Sequence, residues 1–329
     1  MKEEIFDSLY GRIEIKEPVI LELINAPSLV RLKEIDQAGY SSPFFKKKCH
    51  SRFDHSVGVM ILLRKFGASL EEQIAGLIHD VSHSAFSHCI DYVLDEGSEK
   101  KHSWQDSIFE VFVKNSEIPK ILKKYHLNLD FILNDKNFPL KEKELPDLCA
   151  DRIDYSLRTA YHYGEINSKT LNYFLENLKT KDKFWIFKNF KPAKGYGELF
   201  LKLNRKYYAG FSSAVMFKTT GDCLRYALRK KYLLKNDLFK TDREVLKKIK
   251  ENLEKDSILK LLFERMKGKI KVENNPKNYD TSCFCKSRIV DPLFEEKGTL
   301  KKLSQVDKNW KKILIEEMKP KQYFLKFEK

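Results

Sequence analysis

The chain has 329 residues, 42% hydrophobic and 33% charged, an ordinary globular composition that can bury a substantial core as two average domains or as one large domain with a subdomain. Its 62 basic and 47 acidic residues leave a net charge of +15, which suits anionic partners such as nucleotides, nucleic acid or acidic lipid, and is equally what solvated lysine faces would give. The longest apolar run, Val57 to Leu63, is too short for a membrane span, and the start, Met1 to Glu4, lacks signal-peptide character. The six cysteines (Cys49, Cys89, Cys149, Cys223, Cys283, Cys285) form no paired C-x-x-C set, so the expectation is a soluble cytoplasmic protein with free thiols and no membrane partner.

Residues 3–15, EEIFDSLYGRIEI, alternate apolar and polar side chains around Gly11 and predict a short strand pair. Residues 17–39 read as helix with a break near Pro27, and residues 41–53 as loop. From His55 to Phe66 the apolar residues recur at helical spacing and stop near Gly67. Ser69 and Glu72 form an S-x-x-E capping box. They open a helix whose apolar face includes Ile74, Leu77, Ile78 and Val81.

After a polar loop at residues 95–101, Ser103 and Asp106 mark another helix start. Residues 144–164 predict one long helix, with Pro146 in its first turn and Gly164 as its stop. Residues 183–190, KFWIFKNF, are β-like, and residues 197–234 read as two or more helices. The tail is lysine-rich and helical, with β-like pieces at residues 268–273 and 286–294. The expected fold is therefore mainly α with small β elements. Residues 1–230 form its catalytic core and residues 231–329 a mixed, basic C-terminal lobe.

Histidine is scarce, yet three of the eight (His79, His83, His88) fall in AGLIHDVSHSAFSHCID, residues 75–91, beside Asp80 and Asp91. Neutral imidazole and carboxylate are good ligands for divalent ions. Adjacent residues on a helix diverge by about 100°, so the His79–Asp80 pair needs further ligands from other helices. His55 upstream and Asp147, Asp151 or Asp154 downstream are the candidates. The three aspartates lie at i, i+4 and i+7, on one face of the predicted helix. Two histidines and two aspartates suit Fe, Mn, Ni, Zn, Co or Mg. His83, His88 and His102 can bind phosphate or pass protons, and Arg52 and Arg152 can grip phosphate oxygens in pairs. Together these make a kit for phosphoester hydrolysis.

RFDHSVGV, GLIHDVSHSAFSH and ADRIDYSLR, in that order, resemble the H…HD…D signature of the HD-domain metal-dependent phosphohydrolases, in particular their deoxynucleoside triphosphate triphosphohydrolase branch. DSLYGRIEI, LVRLKEIDQAG and RKYYAGFSSAVMFKTT are similar to further segments of that branch, so the likeness spans roughly residues 5–230, and KSRIVDPLF echoes its C-terminal lobe. The resemblance implies an HD-domain helical core, one divalent transition metal (Fe, Mn, Ni, Co or Zn) or Mg, and a homo-oligomer. It assigns the metal to His55, His79, Asp80 and Asp151.

Under the same resemblance His83, His88 and His102 are active-site histidines and Asp91 orients them. Arg52 and Arg152 contact phosphate, Gln37 and Ala38 border the sugar, Tyr155 packs beneath the deoxyribose, and Tyr208 is a second sugar- or base-side tyrosine. Thr159 stands where the family usually has an acid that holds the sugar 3′-hydroxyl, and Ser103 where a glutamate often follows His102.

The reaction implied is hydrolysis of a dNTP to deoxynucleoside and triphosphate. The alternatives are a nucleoside monophosphate phosphatase or cyclic-nucleotide phosphodiesterase, motivated by Thr159, and a nucleic-acid-binding protein with a weak or sensory site, motivated by the charge. Asp154 reads as a structural or ion-pairing residue, and His50, His126 and His162 as surface or core histidines. Lys46, Lys47 and Lys48 read as a solvated loop able to attract triphosphate.

Overall fold

The computed structural model describes residues 3–47, 49–94 and 97–328; Lys48 of the predicted lysine run lies outside them. The fold is mainly α. It opens with the antiparallel pair Glu3–Asp7 and Gly11–Ile15, where Gly11 takes the turn with φ +77°, a conformation glycine adopts at little cost.

The predicted helix at 17–39 is shorter than its pattern. It runs Pro18–Ile24, restarts at Pro27–Val30 and continues as a 3₁₀ turn, Arg31–Glu34. Residues from Ile35 leave the helix because their backbone is used elsewhere. Asp36 forms an antiparallel bridge with Ser51, Gln37 N donates to His50 O and Arg52 N to Ile35 O.

That bridge delivers the chain to the central Arg52–Lys65 helix. Ser51 caps it, and Asp54 returns the bond to the Ser51 backbone, so two orphan donors are satisfied together. His55 lies in the first turn rather than at the start. The helix is buried nearly all round, as expected where apolar residues show no preferred side.

Leu70–Ile78 packs against it. Ser69 accepts from Glu72 N, but the predicted return bond is not made. The Glu72 carboxylate instead accepts from Leu140 N and Lys141 N, so the box is half-built and Glu72 pins a neighbouring loop. Trp104–Lys114 begins where Ser103 and Asp106 signalled, although Ser103 makes no capping bond.

The predicted 144–164 helix is another correction. It spans Ala150–His162, with Cys149 extended at its N-cap. The Pro146 carbonyl accepts from Asp291 N, so the stretch before Cys149 is held as an irregular connection. Asp147 therefore lies off the helix and pairs with Lys302, which removes it from the predicted acidic face.

Phe190–Leu203 and Phe211–Arg229 are joined by a π-helical turn, Asn204–Tyr208. The β-like KFWIFKNF supplies Phe184–Phe187, paired with Leu178–Lys181. Phe184–Phe187 also runs parallel to Leu293–Glu296, which pairs with Thr299–Lys302, so one sheet joins segments on both sides of residue 230. Of the two predicted β-like tail pieces, only Val272–Asn274 and Leu293–Glu296 are strands. The first belongs to a three-stranded sheet with Lys321–Phe327 in the middle and Thr281–Cys285 beyond it. The stretch between Cys285 and Leu293 is irregular.

Two apolar clusters hold the molecule together. One surrounds the central helix and includes Val59, Met60, Leu77 and Ile153. The other joins the loop after His83 to the C-terminal half through Phe86, Ile90, Met216 and Leu259. Each fully buried aliphatic or aromatic side chain contributes about 1.5–3 kcal/mol. The histidine-rich loop is therefore fixed by the packing of both clusters.

Candidate metal centre and active site

Four side chains from three helices converge on one point. His55 comes from the first turn of the central helix, His79 and Asp80 from the C-terminal end of Leu70–Ile78, and Asp151 from the first turn of Ala150–His162. At a helix end the adjacent His79 and Asp80 escape the divergence a helix interior would impose.

The two Nε2 atoms of His55 and His79 face each other at 3.2 Å. Asp151 Oδ1 lies 2.8 Å from His55 Nε2 and 3.5 Å from His79 Nε2. Asp80 Oδ1 lies 3.5 Å from His79 Nε2. His55, His79 and Asp80 each offer a ligand atom within 4.8 Å of the others.

Both imidazoles are turned the right way for a cation. His55 Nδ1 lies 2.8 Å from Asp154 Oδ2 and His79 Nδ1 2.7 Å from Gly76 O. Acceptors there place the proton on Nδ1 and leave the Nε2 lone pairs facing the centre. Two lone pairs at that separation repel unless a cation lies between them. Ligands bonded at about 2.0–2.2 Å around one ion stand roughly 3.0–3.4 Å apart, close to the spacing here.

The charges agree. Burial lowers the His55 pKa, but Asp151 and Asp154 outweigh it and hold it up at about 9, so the centre is electronegative and a cation binding there displaces the Nε2 proton. Burial raises Asp80, and Arg52, His79 and His83 more than reverse that, keeping it well below the usual carboxylate range. The donor set therefore fits a divalent ion, and these four residues would hold it.

A second group of side chains adjoins the first. His83 Nε2 lies 3.2 Å from Asp80 Oδ1. His88 meets the His83 ring edge-on at 5.1 Å and stacks on His102 at 4.9 Å. Asp91 Oδ2 lies 3.6 Å from His88 Nδ1, longer than a hydrogen bond. The other Asp91 oxygen accepts from Trp104 N at 3.2 Å. His102 Nε2 is turned to the Tyr92 hydroxyl at 3.2 Å. Burial pushes His88 and His102 well below the ordinary imidazole range and His83 down to about 4, so all three are neutral in the free protein.

Two cavities meet here. A narrow one is lined by Gln37, Ala38, Tyr155, Thr159, Tyr208 and further aromatic side chains. These are the positions expected to border a sugar. Gln37 Oε1 and the Tyr155 hydroxyl are buried without a hydrogen-bond partner, so each has an unused polar atom at the cavity. The second, which is wider, holds His79, Asp80, Asp151, His83 and His102. Gln37, Arg52, His88, Tyr155 and Arg288 line both, so the two open into each other.

The two arginines expected to hold phosphate border this space but are turned to protein partners. Arg52 donates to Ser87 Oγ, Asp80 Oδ2 and Gln37 O. Arg152 donates to Asp147 O, Cys149 Sγ and Glu142 Oε1. Lys286 and Arg288, which sequence reasoning passed over as part of the basic tail, line the charged cavity. The only signal for them was the KSR triplet after SCFC. Lys46 and Lys47 are exposed and border neither cavity. His50 and His162 face another groove, and His126 is exposed.

The HD domain family matches residues 52–158, the stretch that carries His55, His79, Asp80 and Asp151. The uncharacterized protein YdhJ of Bacillus subtilis is 36% identical over 290 residues, which is 88% of this chain and 87% of that protein. The metal-dependent phosphohydrolase cns2 of Cordyceps militaris is 35% identical over 53% of this chain and 50% of its own length. The deoxynucleoside triphosphate triphosphohydrolase SAMHD1 of Mus musculus is 32% identical over 52% of this chain and 33% of its own. This chain thus spans half or less of the length of both cns2 and the Mus musculus protein. No helix among the described residues is long and apolar enough to cross a membrane.

Proposed function

The chain belongs to the HD-domain superfamily of metal-dependent phosphohydrolases and is related to its deoxynucleoside triphosphate triphosphohydrolase branch, and from that premise we propose that it hydrolyses a dNTP to deoxynucleoside and triphosphate. The observation that carries this reading is the junction of the two cavities. An aromatic compartment with unused polar atoms opens directly onto a compartment of metal ligands, histidines and both basic and acidic side chains. A nucleoside fits the first and its phosphates the second.

His55, His79, Asp80 and Asp151 hold the divalent ion, which supplies Lewis-acid polarisation of phosphate and a more acidic water when bound. The remaining work belongs to the chain. Tyr155 and Tyr208, stacked edge-on with centroids 5.4 Å apart, form a wall for the sugar, and Gln37 and Ala38 close the opposite side. Arg52 and Arg152 add positive potential beside the phosphoryl group.

His88 lines both cavities and is the proton donor. It is neutral in the free protein because of burial. A phosphoryl anion beside it raises its pKa, so it takes up a proton with the substrate. Asp91 Oδ2 then faces Nδ1–H, and Nε2–H is left to protonate the leaving oxygen. His102, bonded to Tyr92, keeps the ring in place by stacking.

The test is a product assay. Purified protein is incubated with each dNTP and Mn, Mg, Co or Ni, and products are separated by chromatography. Deoxynucleoside with inorganic triphosphate supports the proposal, and orthophosphate as the sole phosphate product defeats it. A monophosphate phosphatase would leave the dNTPs intact and release orthophosphate from dNMPs incubated in parallel. Thr159 motivates that alternative: it offers the sugar side of the cavity a hydroxyl where a carboxylate would be the stronger acceptor.

A further inference from the structure

We infer that Lys286 and Arg288, projecting from the irregular segment after the Thr281–Cys285 strand, form the anion clamp that receives the substrate's polyphosphate chain. The inference rests on the reading of the site as one for a nucleotide and assigns its phosphate grip to the C-terminal half of the chain.

Lys286, Ser287 and Arg288 alternate between half-buried, buried and half-buried, as extended residues do when successive side chains point to opposite sides. Ser287 turns inward, where its Oγ accepts from Asn204 Nδ2 at 2.9 Å, and Asn204 Oδ1 accepts from Arg288 N at 2.9 Å. Asn204 is fully buried and also bonds Glu317. With Ser287 anchored on one side, Lys286 and Arg288 face the other side, the charged cavity.

The arginines nearest the metal ligands already have carboxylate partners: Arg52 binds Asp80 and Arg152 binds Glu142. Lys286 Nζ makes no hydrogen bond or salt bridge among the described residues, and the Arg288 guanidinium makes only a 3.5 Å contact with the Lys286 carbonyl. Two adjacent cations without bonded carboxylates, set in a partly desolvated cavity, are costly unless an anion arrives. Burial and the neighbouring Arg288 push the Lys286 pKa down to about 8. Arg288 also lines the aromatic cavity, which places it for the phosphate nearest the sugar and Lys286 for those further out. A clamp reaching from the aromatic cavity into the charged one suits a chain of phosphates better than a single one.

The experiment is isothermal titration of the full chain with sodium tripolyphosphate and, separately, with orthophosphate. K286M and R288M should each weaken tripolyphosphate binding about tenfold or more, as expected for loss of a charged hydrogen bond, and affect orthophosphate less. Parent affinity should fall as pH rises through about 8, and K286R, which keeps its charge, should remove that fall. The other titratable or charged groups facing Lys286 are Asp91, Asp106, Arg152, Arg288, His88 and His102, and K286R leaves all of them in place. Parent-like tripolyphosphate binding by both methionine variants, or none by the parent, overturns the inference.

If either methionine variant fails to fold, as judged by circular dichroism, K286Q and R288Q take their place, and parent-like tripolyphosphate binding by both overturns it. The two readings fail separately. Clamp-dependent tripolyphosphate binding without nucleotide turnover sinks the hydrolase reading and leaves the clamp standing. Turnover of dNTPs with an unchanged KM in K286M and R288M does the reverse.

Discussion

His55 is steered by Asp154, whose Oδ2 lies 2.8 Å from the ring Nδ1. Asp154 is itself fixed by Arg158, through Nε at 3.0 Å and Nη2 at 2.9 Å, and by the Tyr10 hydroxyl at 2.9 Å. A carboxylate behind a ligating histidine sets its tautomer and raises its basicity, and its removal typically weakens metal binding by about 10–100-fold. Asp154→Asn should therefore weaken divalent-metal affinity by about that factor, measured by competition with a chromogenic chelator. Parent-like affinity in the variant would show that Asp154 serves packing alone.

Gly58 faces the same Asp154–Arg158 pair across the two helices. A Cβ at this position would stand 2.0 Å from Arg158 Nη2 and 2.2 Å from Asp154 Oδ1. Both groups are buried and bonded on their far sides, so neither can yield without breaking a charged contact. Gly58→Ala should cost about 1–3 kcal/mol through overpacking and lower the thermal midpoint by several degrees. It should also reduce metal content, because the displaced Asp154 releases His55. Calorimetry and elemental analysis of one preparation check both; an unchanged midpoint would contradict the argument.

These two positions show where the sequence was legible. His55, His79, Asp80 and Asp151 could be nominated because ligand chemistry limits the residue types and their order is distinctive. The structure brings all four together. Asp154 read as structural because its role depends on the angle at which two helices cross, which no spacing encodes. Asp147 read as a possible ligand because helical periodicity ran on through Pro146, whereas the backbone there is held by Asp291 instead. Lys286 and Arg288 were lost among a surplus of lysines. Only the three-dimensional count of which cations already have carboxylates sets them apart.

The C-terminal half reaches the site by a second route. Asp242, at the start of the Asp242–Lys250 helix, accepts from Phe86 N at 2.7 Å through Oδ1 and from Asp36 N at 3.0 Å through Oδ2. Phe86 and Ser87 are consecutive left-handed residues, with φ +59° and +46°, a strained pair that persists only where its surroundings hold it. Asp242 thus ties together the segment bearing Gln37 and Ala38 and the loop bearing His88. Asp242→Asn leaves one oxygen to accept where two did, so one tether is lost. It should lower kcat more than tenfold with metal content unchanged, since no metal ligand touches Asp242. Loss of metal together with activity would point to general unfolding rather than misplacement of His88. Asp242→Glu, which restores both acceptors, should recover part of the rate.

Glu165 plays a comparable part for the aromatic compartment. It follows the Ala150–His162 helix and receives Lys202 Nζ at 2.6 Å, Lys206 Nζ at 2.6 Å and the Tyr207 hydroxyl at 2.5 Å, bracing the π-helical turn that presents Tyr207 and Tyr208. Burial raises its pKa, but the bonds from Lys202, Lys206 and Tyr207 prevail and hold it down at about 2. A carboxyl whose folded pKa lies below its unfolded value, about 4.3, adds stability above the unfolded value and loses it as pH falls toward the folded one. The contribution should therefore vanish between about pH 4 and pH 2. Glu165→Gln removes it at every pH, so the parent and the variant should differ in stability at pH 7 and converge near pH 2 in parallel denaturant titrations. Because Tyr207 and Tyr208 line the nucleoside side of the cavity, the variant should raise KM more than it lowers kcat. A constant stability difference from pH 7 to pH 2 would mean that Glu165 acts through packing and not through its charge.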